Sequence, residues 1–218
     1  MAAPDWERVV HLLRSAAREG SLPSVSQIAR TKQSPFRILV STMISLRTKD
    51  EVTLAASERL FSVADTPQTI LSLPEQRIAE LIYPAGFYRT KARSIRSVAR
   101  ILIDSYRGNV PRSSELLTAL PGVGRKTANL VLGLGFGIPA ICVDTHVHRI
   151  ANRCGWVATK TPERTEDELR SSLPERYWIE INELLVAYGQ RVCTPASPRC
   201  SECAIAWQCD RVGVRQSR

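Results

Sequence analysis

Four cysteines crowd the C-terminal stretch of the chain as Cys193-x6-Cys200-x2-Cys203-x5-Cys209. Four thiolates in so short a span can close around one metal centre, because thiolate is the soft ligand that zinc and iron–sulfur clusters prefer. Zinc usually pairs two short Cys-x2-Cys-like knuckles, whereas only Cys200 and Cys203 have that spacing here. A [4Fe–4S] cluster accepts less regular intervals. The spacing therefore favours the cluster over zinc without excluding the latter. Arg199, inside the first loop, could reach a phosphate. Cys142 and Cys154 lie apart in apolar surroundings and read as small buried hydrophobes.

A second constellation begins at Leu120-Pro121-Gly122-Val123-Gly124, between helical patterns at 113–119 and 124–134. Two glycines one residue apart allow a tight turn whose amides no side chain obstructs. With the helix start that follows, Gly122 and Gly124 can cradle a phosphate, although Pro and Gly also make ordinary turns. Lys126 falls in the first turn of the second helix, where the positive dipole end disfavours an ammonium and Arg125 adds to that pressure. Such a lysine can be a nucleophile towards a sugar carbon, or simply a phosphate-binding or solvated side chain. Asp144 follows the apolar run 138–143 and precedes the helical spacing of Val147, Ile150, Ala151 and Cys154. That is an N-cap position, and a carboxylate held there could also stabilise positive charge on a reacting sugar or accept a proton. His146 and His148 read as structural or DNA-facing.

The elements that must position these groups are helical almost throughout. A first helix carries Val9, Val10, Leu12 and Leu13 and ends near Gly20. Ser34-Pro35 is a cap and first-turn pair for a stripe of Phe36, Leu39, Val40, Met43 and Ile44. Thr48 with Glu51 reads as a capping box opening a helix through Leu60. Prolines from Pro67 to Pro174 punctuate short helices, and no pair of alternating strands stands out. Arg89, Arg93, Arg96, Arg100 and Arg107 form one helical stripe, either a solvated basic face or part of an electrostatic groove. Ile95, Val98, Leu102, Ile103 and Tyr106 occupy the packing sector.

Among 218 residues, 30 Lys and Arg against 21 Asp and Glu leave a net charge of +9, which favours a polyanionic partner. Hydrophobic residues make up 44% of the chain, enough for a packed core. No apolar run is long enough to span a bilayer, and residues 1–20 lack a signal peptide's apolar stretch. The expected compartment is therefore the one of synthesis.

Taken together, the motifs resemble the endonuclease III family of helix-hairpin-helix DNA glycosylases. Leu120-Pro-Gly-Val-Gly-Arg-Lys-Thr-Ala-Asn129 is similar to that family's hairpin and catalytic lysine, Val143-Asp-Thr-His146 to its catalytic aspartate segment, and the cysteine tail to its cluster spacing. The resemblance runs from about Ser34 to Cys209. It implies an all-α, two-domain architecture: a six-helix domain at 28–138 and a [4Fe–4S] cluster domain built from 1–27 and 139–218. It implies base-excision repair, with Lys126 as nucleophile and Asp144 as its electrostatic and proton-transfer partner. The expected substrate is double-stranded DNA with oxidised pyrimidines or abasic sites, bound by a monomer. Gly122, Gly124, Arg125, Arg199 and His146 would contact DNA. The enzyme would work in the nucleoid of a prokaryote, or in the nucleus or a DNA-containing organelle of a eukaryote. One departure stands out: Arg47, in Ser45-Leu-Arg-Thr-Lys-Asp50, occupies the place of the family's gap-filling glutamine. Phe87 matches its apolar wedge, with core burial as the other reading. Arg47 keeps a mismatch glycosylase open, and a non-catalytic DNA-binding protein with structural zinc is the alternative of another class.

Overall fold

The computed structural model describes residues 3–17, 22–31 and 34–218, and the secondary structure of these residues is helical, without strands. The chain forms two compact units, Met1–Pro23 with Pro139–Arg218, and Ser24–Ile138. The first boundary lies at Ser24 rather than at residue 28, because one helix, α2 (Ser24–Thr31), packs as a whole with the second unit.

The unit made from both chain ends contains α1 (Trp6–Ala17), α10 (Thr145–Arg153), α11 (Pro162–Ser172) and α12 (Glu180–Arg191), followed by two 3₁₀ turns among the tail cysteines. The expected end of the first helix near Gly20 lies outside the described residues. Val9, Val10 and Leu13 of α1 are fully buried with Val147 and Ile150 of α10 and Leu185 of α12. Each such side chain contributes about 1.5–3 kcal/mol through burial. Arg14 adds an ion pair to Glu180 at 2.6 Å, but its side chain is 52% exposed and the pair contributes little.

The other unit comprises α2, α3 (Pro35–Ser45), α4 (Asp50–Phe61), α5 (Pro67–Ser72), α6 (Glu75–Ile82), α7 (Tyr88–Tyr106), α8 (Ser114–Thr118) and α9 (Arg125–Phe136). Six of these have eight residues or more; α5 and α8 are single short turns. The Ser34 hydroxyl accepts from the Arg37 amide and Pro35 opens α3, as the sequence signals. Ile38, Leu39 and Ile44 of α3 are fully buried, and α9 packs on this helix. Along α7, Ile95, Val98 and Leu102 face the core, while Arg89, Arg93 and Arg100 are exposed. The basic stripe is partly spent inside the unit. Arg93 lies 3.5 Å from Glu75, and Arg96 Nε donates to the Leu73 carbonyl at 3.3 Å.

Thr48 does not open a helix. The N-cap of α4 is Lys49, without a side-chain cap. The Thr48 hydroxyl instead accepts from the Gly86 amide at 3.0 Å and from Lys91 Nζ at 2.8 Å. Lys91, buried on α7, also donates to the carbonyls of Ile44 and Leu46, both at 2.6 Å. It thereby satisfies oxygens that the end of α3 leaves unpaired. Burial pushes the Lys91 ammonium down to about 8. Lys91→Met should therefore cost roughly 1–3 kcal/mol in denaturant unfolding, because three acceptors lose their donor. A folded-state pKa below the unfolded one means that the unfolded chain binds more protons between about pH 8 and 10.5. Wild-type stability relative to Lys91→Met should then rise across that window, and parallel unfolding curves would check the sign.

Candidate active site and cysteine cavity

The hairpin forms where the sequence places it. Ser113 caps α8 through the Leu116 amide, Leu117, Leu120 and Val123 are buried, and the turn closes by Leu120 N–H to Leu117 O and Val123 N–H to Leu120 O, both at 3.1 Å. Gly122 has φ +78°, a left-handed conformation that side chains rarely adopt. Gly124 is different: its backbone is extended (φ −98°, ψ 177°), it is the N-cap of α9, and an added Cβ would meet nothing within 4 Å. It leaves the helix start open rather than bending the chain. Arg125 is the first residue of α9 and exposed; Lys126 is the second and half-buried.

Gly122 shares a cavity of about 390 Å³ with Arg47, Phe87, Met43, Lys91 and Ser94. Arg47 and Phe87 both have left-handed backbone, φ 52° and 57°, and the Arg47 guanidinium stands 5.7 Å from the Phe87 ring centroid. Phe87 is 64% exposed, so core burial is not its role. A large aromatic held left-handed and in solvent is strained by about 1–3 kcal/mol, a cost its surroundings must impose. The knot of Lys91 and Thr48 does so. The chain also passes so close at Gly86 that a Cβ there would stand 2.5 Å from the Arg47 carbonyl oxygen.

Asp144 lies in the other unit, where it caps α10: Oδ1 accepts from the amides of His146 at 2.8 Å and Val147 at 2.9 Å. The lead-in is buried, and Asn182 donates to the Cys142 carbonyl at 3.0 Å. His146 Nδ1 is 3.1 Å from an Arg149 guanidinium nitrogen and His148 Nδ1 is 2.7 Å from the Thr165 hydroxyl, so both rings are engaged within their own unit.

Cys193, Cys200, Cys203 and Cys209 line one cavity, walled by apolar groups such as Ile150, Val192 and Ile205. Among the described residues, no three His, Cys, Asp or Glu side chains converge closely enough to grip a single ion. Arg199, on the loop before Cys200, is exposed and lies 3.6 Å from Glu202. Three residues around this cavity escaped the sequence reading. Cys154 lines it beside the four tail cysteines, and a hydrogen bond from its thiol holds Cys209 down to about 6. Arg153 Nη1 lies 3.5 Å from Cys193 Sγ and donates to the Thr194 carbonyl at 2.7 Å. Tyr188 donates to Cys203, and burial raises its phenol above the ordinary value, so a hydroxyl rather than a phenolate faces the sulfur. Cys154 continues the buried face of α10, which is why periodicity alone could not separate it from the core.

The two hairpin glycines should separate in a stability measurement. Gly122→Ala should lower the unfolding free energy by roughly 1–2 kcal/mol through its left-handed backbone, whereas Gly124→Ala should leave it within about 0.5 kcal/mol; equal effects in thermal unfolding would contradict this backbone assignment.

Comparison with known proteins gives the same picture throughout. Residues 40–175, more than half of the chain, match the family described as "HhH-GPD superfamily base excision DNA repair protein". The chain is 51% identical over 176 residues to endonuclease III of Thermotoga maritima, covering 81% of this chain and 83% of that protein. It is 45% identical over 178 residues to the mouse endonuclease III-like protein 1, spanning 80% of this chain but 59% of that longer relative. A solved structure of a trapped endonuclease III–DNA covalent intermediate superposes with a TM-score of 0.81 at 30% identity, covering 95% of this chain and 97% of that one. With a matching fold, more than half the chain inside the family and 51% identity over 176 residues to a bacterial relative, the chain belongs to the helix-hairpin-helix base-excision repair superfamily, as an endonuclease III-type DNA glycosylase and abasic-site lyase.

Proposed function

We propose that Lys126 is the nucleophile of this enzyme, Asp144 its electrostatic and proton-transfer partner, and damaged duplex DNA the substrate. The observation that carries the reading is the placement of Lys126 at the start of α9, directly after a glycine turn with nothing above Gly124. A helix start of this kind suits a phosphate and brings the amine to the sugar beside it. The trapped covalent endonuclease III–DNA intermediate supports a covalent route. The Lys126 Nζ lone pair attacks C1′, the glycosidic bond breaks, and its electron pair leaves with the base, which takes up a proton. Nζ then gives up a proton and the C1′–O4′ bond opens, its electron pair and a proton going to O4′, which leaves a Schiff base between Lys126 and C1′. This acidifies the C2′ hydrogen; loss of that proton expels the 3′ phosphate, and water then releases Lys126 as the free amine.

Gly122, Gly124 and Arg125 bind the DNA backbone in this reading, with Arg199 as a further phosphate contact and His146 at the edge of the Asp144 segment. Arg47 and Phe87 enter the space left by an extruded nucleotide. Their shared cavity with Gly122 supports this role. Oxidised pyrimidines are the proposed lesions, the enzyme acts as a monomer, and it works wherever the cell keeps its DNA. Among the described residues, no helix is long and apolar enough to cross a membrane.

Cys193, Cys200, Cys203 and Cys209 are proposed to hold a [4Fe–4S] cluster. The donor set fits: four sulfurs face one cavity without closing on a point, as separate irons require, and nearby side chains donate to them. When bound, the group supplies a rigid anchor for the 193–209 loop, and the bond-breaking chemistry stays with Lys126 and Asp144.

Borohydride reduction on abasic DNA should trap a covalent adduct with the wild type and none with Lys126→Ala. An adduct that survives this substitution ends the assignment of the nucleophile. Asp144→Asn should slow base release on the order of 10²-fold, read in single-turnover assays. Duplexes carrying one oxidised pyrimidine or one mismatch each would fix the lesion class, and freshly purified protein should be brown, with iron and inorganic sulfide in equal amounts.

A further inference from the structure

We propose that Tyr188 is a positioning residue for the cysteine-bound cluster: its hydroxyl donates a hydrogen bond to Cys203 and so raises the reduction potential of the group held there. The inference rests on the cluster reading above.

The geometry leaves the phenolic proton one destination. Tyr188 stands on α12 with 4% of its surface exposed. Its oxygen accepts the Ala204 amide at 2.8 Å and lies 3.3 Å from Cys203 Sγ. The oxygen is the acceptor for the Ala204 N–H, and its own O–H is donated to the sulfur of the preceding residue. The same side chain therefore grips the turn 203–204 twice, once as acceptor and once as donor. Its own backbone takes part as well. The Tyr188 carbonyl accepts from the amides of Val192 at 2.8 Å and Cys193 at 3.0 Å, which turns the chain from α12 into the first cysteine.

Reduction adds negative charge to a cluster and its thiolates, so a donor aimed at a thiolate stabilises the reduced form more than the oxidised one. The effect is strongest where water cannot screen it, which is the setting of a buried tyrosine. Arg153 supplies a comparable contact to Cys193 at 3.5 Å, but it is half-buried and also ties the loop through Thr194. Tyr188 is neutral and buried, so its ring can be kept while its hydroxyl alone is changed.

Two variants of the holoenzyme test this. Tyr188→Phe keeps the ring and removes the donor; its midpoint potential should fall below that of the wild type and of a Tyr106→Phe control in the other unit. Incorporating 3,5-difluorotyrosine at position 188 keeps the packing and makes the hydroxyl a stronger donor; the potential should then rise. Shifts of opposite sign at constant iron content carry the proposal, since loosened packing would move both variants the same way. If neither variant moves the potential, or both move it in one direction, the role of Tyr188 is disproved while the cluster stands. Should Tyr188→Phe fail to load, the difluorotyrosine protein decides by the sign of its shift. A wild-type protein with zinc, or without inorganic sulfide, overturns the cluster reading and this inference together.

Discussion

A helix ends with backbone groups that the helix itself cannot pair, and the candidate functional positions of this chain are places where that debt is settled or left open. At the end of α3, a buried ammonium from Lys91 takes the carbonyls of Ile44 and Leu46. At the start of α10, one oxygen of Asp144 takes two amides. At the end of α12, Arg149 donates to the carbonyl of Gly189 in its last turn and to that of Cys193 beyond it. The start of α9 is opened by Gly124, which has no side chain to cap it. No side chain stands between that end and an approaching anion at Gly124, and Lys126 stands on its first turn.

The Lys91 contact explains more than the end of one helix. Burying an ammonium is costly unless it is fully hydrogen-bonded. Three oxygens meet that requirement, and two of them, Leu46 O and Thr48 Oγ1, flank Arg47. Thr48 is also held by the Gly86 amide, next to Phe87. One satisfied charge therefore fixes two left-handed residues in neighbouring segments, and their exposed side chains reach solvent from a rigid base. The insertion into a stacked duplex proposed for these two side chains gains from such pre-organisation, because less ordering remains to be done on binding.

The sequence made the helical class, the hairpin, the Asp144 cap and the four-cysteine tail legible, because each has a local signature: glycine spacing, a capping residue before an apolar period, a cysteine interval. What it hid was tertiary. Thr48 carries the local mark of a capping box, yet its hydroxyl goes to Gly86 and Lys91, 38 and 43 residues away. Lys91 looks like any surface lysine in a basic helix, and only the fold shows three acceptors around it. Arg96 belongs by period to a basic stripe, but the α5–α6 corner beneath it offers the Leu73 carbonyl. Tyr188 and Cys154 were invisible for the same reason: periodicity reports that a side chain is buried, and says nothing of a sulfur next to it.

Capping and chemistry need not compete at Asp144. A carboxylate whose Oδ1 is fixed by two amides has a defined rotamer, so the group is pre-organised before any substrate arrives. The apolar lead-in of Ile141, Cys142 and Val143 is buried and keeps that segment from adjusting. An asparagine can cap a helix nearly as well as an aspartate. Loss of charge at this position can therefore be separated from loss of the helix start, so the capping seen here and the catalytic duty proposed for the carboxylate are distinguishable. The same logic applies at α9, where the helix start is built without a side chain and the positive end of the dipole is offered to an anion from outside the chain.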